Sequence, residues 1–242
     1  MWNPLYAYLD PTFLLLIPVI ILGIYAQWKV RSTYRKYAQV PAAAGLSGAK
    51  VAAMLLERNK LRGVAPAGGR YETGAVGIQE VGGSLTDHYD PRSRTLRLSA
   101  GVARSSSLAA YGVAAHEVGH AVQHRDGYLF LTVRNALLPV ANLGSQLLIP
   151  LLLGGLIFRW GFLINVGIVL YAFAVVFQVL TLPVEIDASR RALGMLRETG
   201  AVAEDEIKGA GKVLRAAAFT YLASTLTAVA YLLYLLVGVR RN

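Results

Sequence analysis

Hydrophobic and polar residues are grouped in long blocks along this chain. Four apolar stretches, at residues 12–28, 136–158, 161–182 and 216–239, approach the length of about 20 residues that a helix needs to cross a bilayer. Between them lie two polar blocks, at residues 30–135 and 183–215. This pattern predicts a mainly α integral membrane protein with four transmembrane helices and a small α+β domain.

The block boundaries divide the chain into five predicted segments. They are an N-terminal transmembrane helix at 1–29, the α+β domain at 30–135, a transmembrane hairpin at 136–183, a helical segment at 184–215 and a C-terminal transmembrane helix at 216–242. The hairpin is tight, since only Arg159 and Trp160 separate its two apolar stretches. The first apolar stretch is predicted to be a retained span, because Asp10 is the only charge before it and a signal peptide begins with basic residues.

Local signals predict the elements of the two polar blocks. In the first block they are a helix from about Ser47 to Asn59, a Gly-rich run from Gly63 to Gly83 with a β-like piece from Val76 to Val81, a β-hairpin from Ser84 to Ser99 turning at Asp90 and Pro91, and a helix from about Ser105 to His124. A cap at Ser105–Ser107 is predicted to begin the last of these helices, and Gly127 to end it. The second block predicts two helices, the first beginning at Pro183, with a break at Gly200.

Composition supports membrane embedding. The chain of 242 residues is 55% hydrophobic, has a mean hydropathy of +0.47 and is only 16% charged, whereas soluble domains are usually about a quarter charged. It has no cysteine, which excludes disulfides, thiolate ligands and a cysteine nucleophile. Its net charge of +10 comes without any nucleic-acid-binding motif, so we interpret it as a topology signal and exclude nucleic acid as a partner.

The basic residues near the span ends predict the orientation. One side collects Lys29, Arg31, Arg35, Lys36, Arg125, Arg134, Arg190, Arg191, Arg197, Lys208, Lys212 and Arg215, and the other holds Arg159, Arg240 and Arg241. Basic residues concentrate in cytoplasmic loops. Both polar blocks are therefore predicted to face the cytoplasm.

The stretch His116-Glu117-Val118-Gly119-His120 carries the clearest chemical signal. Residues four apart share one face of a helix, so His116 and His120 can bind one zinc ion, and Glu117 can act on a water molecule at that ion. Catalytic zinc sites have three protein ligands and one open position for water, and the two histidines supply only two of them. A third protein ligand is therefore expected elsewhere in the chain.

His124 follows four residues after His120, but it is a poor third ligand. A straight helix places His124 about 12 Å from His116 along the axis, whereas zinc–nitrogen bonds are about 2.0–2.1 Å long. We therefore predict that His124 lies at the membrane interface and binds no metal.

Carboxylates after the third apolar stretch are better placed. Glu185 lies on the same side of the membrane as the histidine pair, because two spans separate them. Asp187 points away from Glu185 around a helix and is four residues before Arg191, a spacing typical of an ion pair. Glu185 is accordingly the predicted third ligand. His88 remains a residue of the hairpin, with a structural or substrate-facing role.

Longer stretches of the sequence, beyond this motif, resemble a known protein family. Residues 86–91, 113–123 and 181–192, together with Asp10-Pro11-Thr12 and residues 216–221, resemble the YugP-like family of bacterial membrane-bound neutral zinc metallopeptidases. The resemblance implies Zn²⁺ as the cofactor, His116, His120 and Glu185 as its ligands, and Glu117 as the catalytic acid and base.

A more distant similarity is to HtpX and the CAAX-type integral-membrane proteases. Those enzymes take their third ligand from a Glu-x-x-Ala-Asp segment, and this chain has Ser189 where they have Asp. The group that orients a ligand imidazole is thus Ser189, Asp187 or a backbone carbonyl.

The α+β domain at 30–135 is expected to be a zincin-like domain that carries the motif. The function expected from the sequence is that of a gluzincin-like zinc metalloendopeptidase. It would reside in the lipid bilayer of a bacterial plasma membrane, crossing it several times with its catalytic domain in the cytoplasm, and would cleave membrane or membrane-associated polypeptides. The alternatives are a non-proteolytic, zinc-stabilised membrane subunit with a chaperone-like or regulatory role, and hydrolysis of a non-peptide bond.

Substrate contacts are predicted less sharply. The hairpin could pair with an extended peptide, and His88, Tyr89 and Tyr221 are candidates for substrate binding or for stabilising an oxyanion, with simple packing as the alternative. Asn142, Gln146 and Gln178 in the apolar stretches would line a polar cavity or bond between helices.

Overall fold

The computed structural model of this chain describes residues 11–61, 75–200 and 202–240. Asp10 and the Gly-rich residues 62–74 lie outside this part. After a short 3-10 helix, Pro11–Leu16, the elements are α1 (Ile17–Ala38), α2 (Gly48–Arg58), β1 (Gly77–Val81), β2 (His88–Asp90), β3 (Thr95–Ser99), α3 (Ala100–Ala103), α4 (Leu108–Arg125), α5 (Leu129–Ile157), α6 (Gly161–Thr199) and α7 (Glu204–Arg240).

The elements form two compact units. Met1–Trp28, Phe130–Pro183 and Phe219–Asn242 make up one, which we call the apolar unit. Lys29–Leu129 and Val184–Ala218 make up the other, which we call the polar unit. The polar unit contains the sheet, α2 and α4.

The sheet of the polar unit has β3 at its centre. β1 pairs with β3 in parallel, with Gly77 opposite Thr95, and β2 pairs with it antiparallel, with His88 opposite Arg97. β2 ends at Asp90 and β3 begins at Thr95, so the predicted hairpin is confirmed. Its turn is held by the Asp90 carboxylate, which accepts hydrogen bonds from the Arg92 amide at 2.9 Å and the Ser93 hydroxyl at 2.8 Å.

The core of the polar unit lies between this sheet and the helices. Leu96 and Leu98 of β3 are completely buried, as are Leu55 and Leu56 of α2 and Val118 of α4. Each such side chain stabilises the fold by roughly 1.5–3 kcal/mol relative to an exposed one. The core thus fixes α4, the helix that carries the histidine pair, against the sheet and α2.

Caps set the ends of α2 and α4 as the sequence predicts. The Ser47 hydroxyl accepts a hydrogen bond from the Lys50 amide, and the Ser107 hydroxyl accepts one from the Ala110 amide. Both satisfy amides that the first turn of a helix leaves unpaired. Just past the end of α4, Gly127 adopts a φ of +62°, which favours glycine.

Three of the described helices are long and apolar enough to cross a membrane: α5, α6 and the segment Glu204–Gly238 of α7. They contain the predicted second, third and fourth spans. The predicted first span, residues 12–28, is divided between the 3-10 helix and α1, whose last ten residues include four Lys and Arg. A first span therefore stays a prediction.

The second polar block differs from its prediction at Pro183. No helix begins there, because α6 runs without interruption from Gly161 to Thr199 with Pro183 in its interior. Proline removes one backbone donor and crowds the preceding turn, which usually ends a helix. Proline is usually found in the first turn of a helix, but Pro183 lies inside α6, which continues on both sides of it.

The predicted break at Gly200 is confirmed. Gly200 has a φ of +64° and lies between α6 and α7. The second helix of this block continues into the last apolar stretch, because α7 runs from Glu204 to Arg240 as one helix. No glycine, proline or capping residue at position 215 or 216 interrupts the hydrogen bonding of that helix.

Candidate metal centre

Helices α4 and α6 bring three potential metal ligands together within the polar unit. Nε2 of His116 lies 3.2 Å from Oε2 of Glu185, and Nε2 of His120 lies 3.7 Å from the same oxygen. The two imidazole rings are 4.7 Å apart between centroids and nearly perpendicular, at 79°. The predicted ligand set thus converges on one point, although 69 residues separate His116 from Glu185.

A glycine allows the two helices to approach. A Cβ atom on Gly119 would lie 2.6 Å from the backbone oxygen of Ala188, which is closer than real Cβ atoms come to other heavy atoms. Ala188 lies between Glu185 and Ser189 along α6, and Gly119 directly precedes His120 on α4. The close contact therefore positions both Glu185 and Ser189 beside the histidine pair.

Ser189 orients His116. The Ser189 hydroxyl lies 3.2 Å from Nδ1 of His116, on the side of the ring opposite the nitrogen that faces Glu185. A hydrogen bond at Nδ1 favours the tautomer whose Nε2 is free to bind a metal. Of the three orienting groups that the sequence left open, Ser189 occupies this position.

Gln123 orients His120, and the sequence reasoning missed it. Its Oε1 lies 3.0 Å from Nδ1 of His120, and its amide nitrogen donates to the Val184 carbonyl at 2.9 Å and to the Asp187 carboxylate at 2.8 Å. Gln123 is completely buried. Its position three residues after His120, on the same face of α4, is the signal that could have revealed it.

Asp187 is held in turn by Arg191. The guanidinium of Arg191 donates to Asp187 at 2.7 Å and to Asp126 at 2.7 Å. The predicted ion pair between Asp187 and Arg191 is confirmed. The pair has a further function, because it fixes the carboxylate that accepts a hydrogen bond from Gln123.

The three converging groups fit a zinc ion. Two imidazoles and one carboxylate are a donor set that zinc takes at catalytic sites, and one ligand atom from each lies within 4.8 Å of the others. Two ligands bonded at about 2.0–2.2 Å lie up to about 4 Å apart, so small side-chain rotations suffice to close the site. Since both Nδ1 atoms are hydrogen-bonded elsewhere, both Nε2 atoms are available for the metal.

Burial and neighbouring charges together set the proton affinities at this site. Burial raises the pKa of the Glu117 carboxyl, and the imidazoles of His116 and His120 act in the opposite direction. Burial also opposes the charged form of His120, but the neighbouring Glu185 outweighs it and raises the pKa of this imidazole to about 9. Glu117 therefore holds a proton more readily than an ordinary glutamate.

The other predicted site residues of the polar unit have different contacts. Nδ1 of His88 lies 2.8 Å from the Thr86 carbonyl, and its Nε2 lies 3.4 Å from Arg97. The Tyr89 hydroxyl lies 2.8 Å from Nδ1 of His124. That His124 binds no metal and lies at the membrane interface stays a prediction. Contacts of His88 or Tyr89 with substrate stay predictions.

The remaining candidates lie in the apolar unit. Tyr221 is on α7, Asn142 and Gln146 are on α5, and Gln178 is on α6. The backbone carbonyl of Gln178 accepts a hydrogen bond from the Thr225 hydroxyl at 3.2 Å, which joins α6 to α7. A role for Tyr221 at the oxyanion and a polar cavity in this unit stay predictions.

Two histidines and a glutamate on neighbouring helices form a possible metal-binding group, and three of the described helices are long and apolar enough to cross a membrane. This combination suggests a membrane zinc metallopeptidase. Residues 12–240 match the family described as "Putative neutral zinc metallopeptidase", and the chain belongs to that family. It is 42% identical over 219 residues to the "Putative membrane protease YugP" of Bacillus subtilis (strain 168), covering 90% of this chain and 92% of the relative. No solved structure matches the chain.

Removing the amide of Gln123 should weaken metal binding. The Gln123→Ala variant leaves Nδ1 of His120 without its partner, and loss of such an orienting group typically costs about 10–100-fold in metal affinity. Zinc affinity can be measured by competition with a chromophoric chelator. Gln39→Ala, which removes an exposed amide, is the matched control, and an unchanged affinity in Gln123→Ala would contradict the assigned role.

Proposed function

We propose that this protein is a membrane-embedded zinc metalloendopeptidase that hydrolyses peptide bonds of membrane or membrane-associated proteins. The observation that carries the proposal is the convergence of Nε2 of His116 and Nε2 of His120 on the Glu185 carboxylate, with Glu117 buried next to them. Membership of the zinc metallopeptidase family supports it.

In the proposed mechanism, His116, His120 and Glu185 hold the metal. Bound zinc supplies Lewis acidity, which polarises the peptide carbonyl and lowers the pKa of a water molecule towards about 7. Glu117 takes a proton from the attacking water and delivers it to the leaving amine. Ser189 and Gln123 hold the two imidazoles in the tautomer that the ligands need.

The proposed substrates follow from the position of Glu185 on α6, directly after the apolar part of that helix. Pro183, the last residue of this helix in the apolar unit, is two residues before Glu185. A ligand so close to an apolar, bilayer-length stretch favours polypeptides at the membrane surface over those in bulk solvent. We also propose four spans, a plasma-membrane location and a cytoplasmic catalytic domain, supported by the excess of basic residues on one side of the apolar stretches.

Metal removal tests the proposed activity. Purified full-length protein in neutral detergent should contain about one zinc ion per chain and cleave an unfolded polypeptide such as casein. A chelator should reduce cleavage to the background, and stoichiometric zinc should restore it. Zinc content is measured by atomic emission and cleavage by release of fluorescent peptides.

A serine-protease inhibitor is the control for contaminating activity, because it should leave the zinc-dependent cleavage unchanged. Undiminished cleavage by protein shown to be free of metal would refute the proposal. So would a fully zinc-loaded protein that cleaves neither casein nor any protein of its native membrane.

A further inference from the structure

Two helical segments of the polar unit concentrate positive charge. Residues 29–38 of α1 and residues 207–218 of α7 contain seven Lys and Arg and no Asp or Glu. We call them the basic surface, and its cations are Lys29, Arg31, Arg35, Lys36, Lys208, Lys212 and Arg215. All seven are exposed.

The two segments contact each other at Tyr37. A Cβ atom on Gly209 of α7 would lie 3.2 Å from the ring of Tyr37 on α1. The Lys36 ammonium lies 5.8 Å from the centroid of that ring and the Lys212 ammonium lies 5.9 Å from it. The two ammonium groups are therefore at most about 12 Å apart, and both lie beside the same ring.

Within the described residues, no carboxylate forms an ion pair with Lys36 or Lys212. Elsewhere in the polar unit, Arg97, Arg104, Arg125, Arg191 and Arg197 each have a carboxylate oxygen within 2.9 Å. Among the described residues, none of the seven cations of the basic surface has such a partner within 4.0 Å, although Lys208 interacts at longer range with the Glu204 carboxylate. A surface of this kind attracts an anion from outside the chain.

Position along the chain identifies that anion. Arg215 directly precedes the apolar part of α7, a candidate membrane span, and Lys29 directly follows the exposed Trp28 at the end of an apolar stretch. Tryptophan and basic residues at the end of an apolar stretch are typical of the level at which lipid phosphates lie. An acidic protein segment would not need apolar residues next to its binding site.

We propose that the basic surface binds the headgroup of an anionic phospholipid, with Lys36 and Lys212 on its phosphate. Membrane orientation alone requires only an excess of basic residues on one side. Orientation alone does not explain why Lys36 and Lys212, from different helices, both lie beside the Tyr37 ring with no carboxylate paired to either among the described residues. The proposal is independent of the peptidase chemistry, since no residue of the metal centre belongs to the basic surface.

Native mass spectrometry of the purified full chain tests the site. The protein in neutral detergent is titrated with phosphatidylglycerol and, separately, with phosphatidylcholine, and retained lipid is counted. We expect selective retention of phosphatidylglycerol. The triple variant Lys36→Gln, Lys212→Gln, Arg215→Gln should need about 100-fold more phosphatidylglycerol for the same occupancy, since each basic residue near a membrane surface contributes about fivefold.

The matched control is the triple variant Lys50→Gln, Arg92→Gln, Arg94→Gln, which removes the same charge from three exposed positions of the polar unit. It should bind phosphatidylglycerol like the unaltered chain. Equal retention of both lipids, or equal weakening in both triple variants, would overturn the proposal. Displacement of phosphatidylglycerol by millimolar inorganic phosphate would also overturn it, because the site would then recognise a free anion. Unchanged zinc content and circular dichroism confirm that both variants are folded.

Discussion

Replacing Glu117 with Gln should reduce peptide hydrolysis by roughly 10³-fold or more while leaving the zinc content unchanged. The substitution keeps the shape of a buried side chain but removes the group that accepts a proton, and general acid–base catalysis contributes about 10²–10⁴-fold. The raised pKa of the buried carboxyl suits that proton transfer. The measurement is kcat/KM for a fluorogenic peptide, together with zinc per chain.

His116→Ala is the contrasting variant. It removes one metal ligand, so we expect both zinc and hydrolysis to be lost, whereas Glu117→Gln should lose hydrolysis alone. Substantial cleavage by a zinc-loaded Glu117→Gln protein would disprove the role of Glu117 as the base. Retention of full zinc by His116→Ala would disprove the ligand assignment.

Gly119→Ala should destabilise the protein by about 3 kcal/mol and weaken zinc binding at least tenfold. The added methyl group would meet the backbone oxygen of Ala188 at 2.6 Å, and backbone cannot rotate away as a side chain can. Overpacking of this kind typically costs about 1–3 kcal/mol. Because α4 and α6 must separate, Glu185 and Ser189 move away from the histidine pair. Thermal unfolding in detergent and zinc competition measure the two effects.

Gly194→Ala provides the matched control on α6. A Cβ atom at Gly194 meets no atom within 4 Å, and alanine is favoured over glycine inside a helix by about 1 kcal/mol. This variant should therefore be as stable as the unaltered chain or more stable, with normal zinc affinity. Similar losses in both variants would show that α4 and α6 do not depend on the contact at Gly119.

Features fixed by neighbouring residues could be predicted from the sequence. Ser107 and Gly127 delimit α4 because a cap and a left-handed glycine act within one turn. The turn at Asp90 follows from the same kind of local hydrogen bonding. Glu185 could be predicted as a ligand because two apolar stretches separate it from the histidine pair. If each stretch crosses the bilayer once, Glu185 lies on the same side of the membrane as the pair.

Features that depend on contacts between distant residues could not be predicted in this way. The choice of Ser189 for His116 depends on the crossing of two helices at Gly119 and Ala188, which no spacing in the sequence encodes. The spacing of Gln123 from His120 points to their contact, but its other partners, Val184 and Asp187, are more than 60 residues away and could not be predicted. Pro183 was misread because its local preference is weaker than the continuity of a long apolar helix.

The separation of the ligands along the chain has a consequence for biosynthesis. His116 and His120 are synthesised well before Glu185, which lies 69 residues after His116. A growing chain that has not reached residue 185 carries the base and two imidazoles but lacks the third ligand and Ser189. If the protein has the proposed activity, hydrolytic competence would thus arise only after the apolar stretches of α5 and α6 have been made.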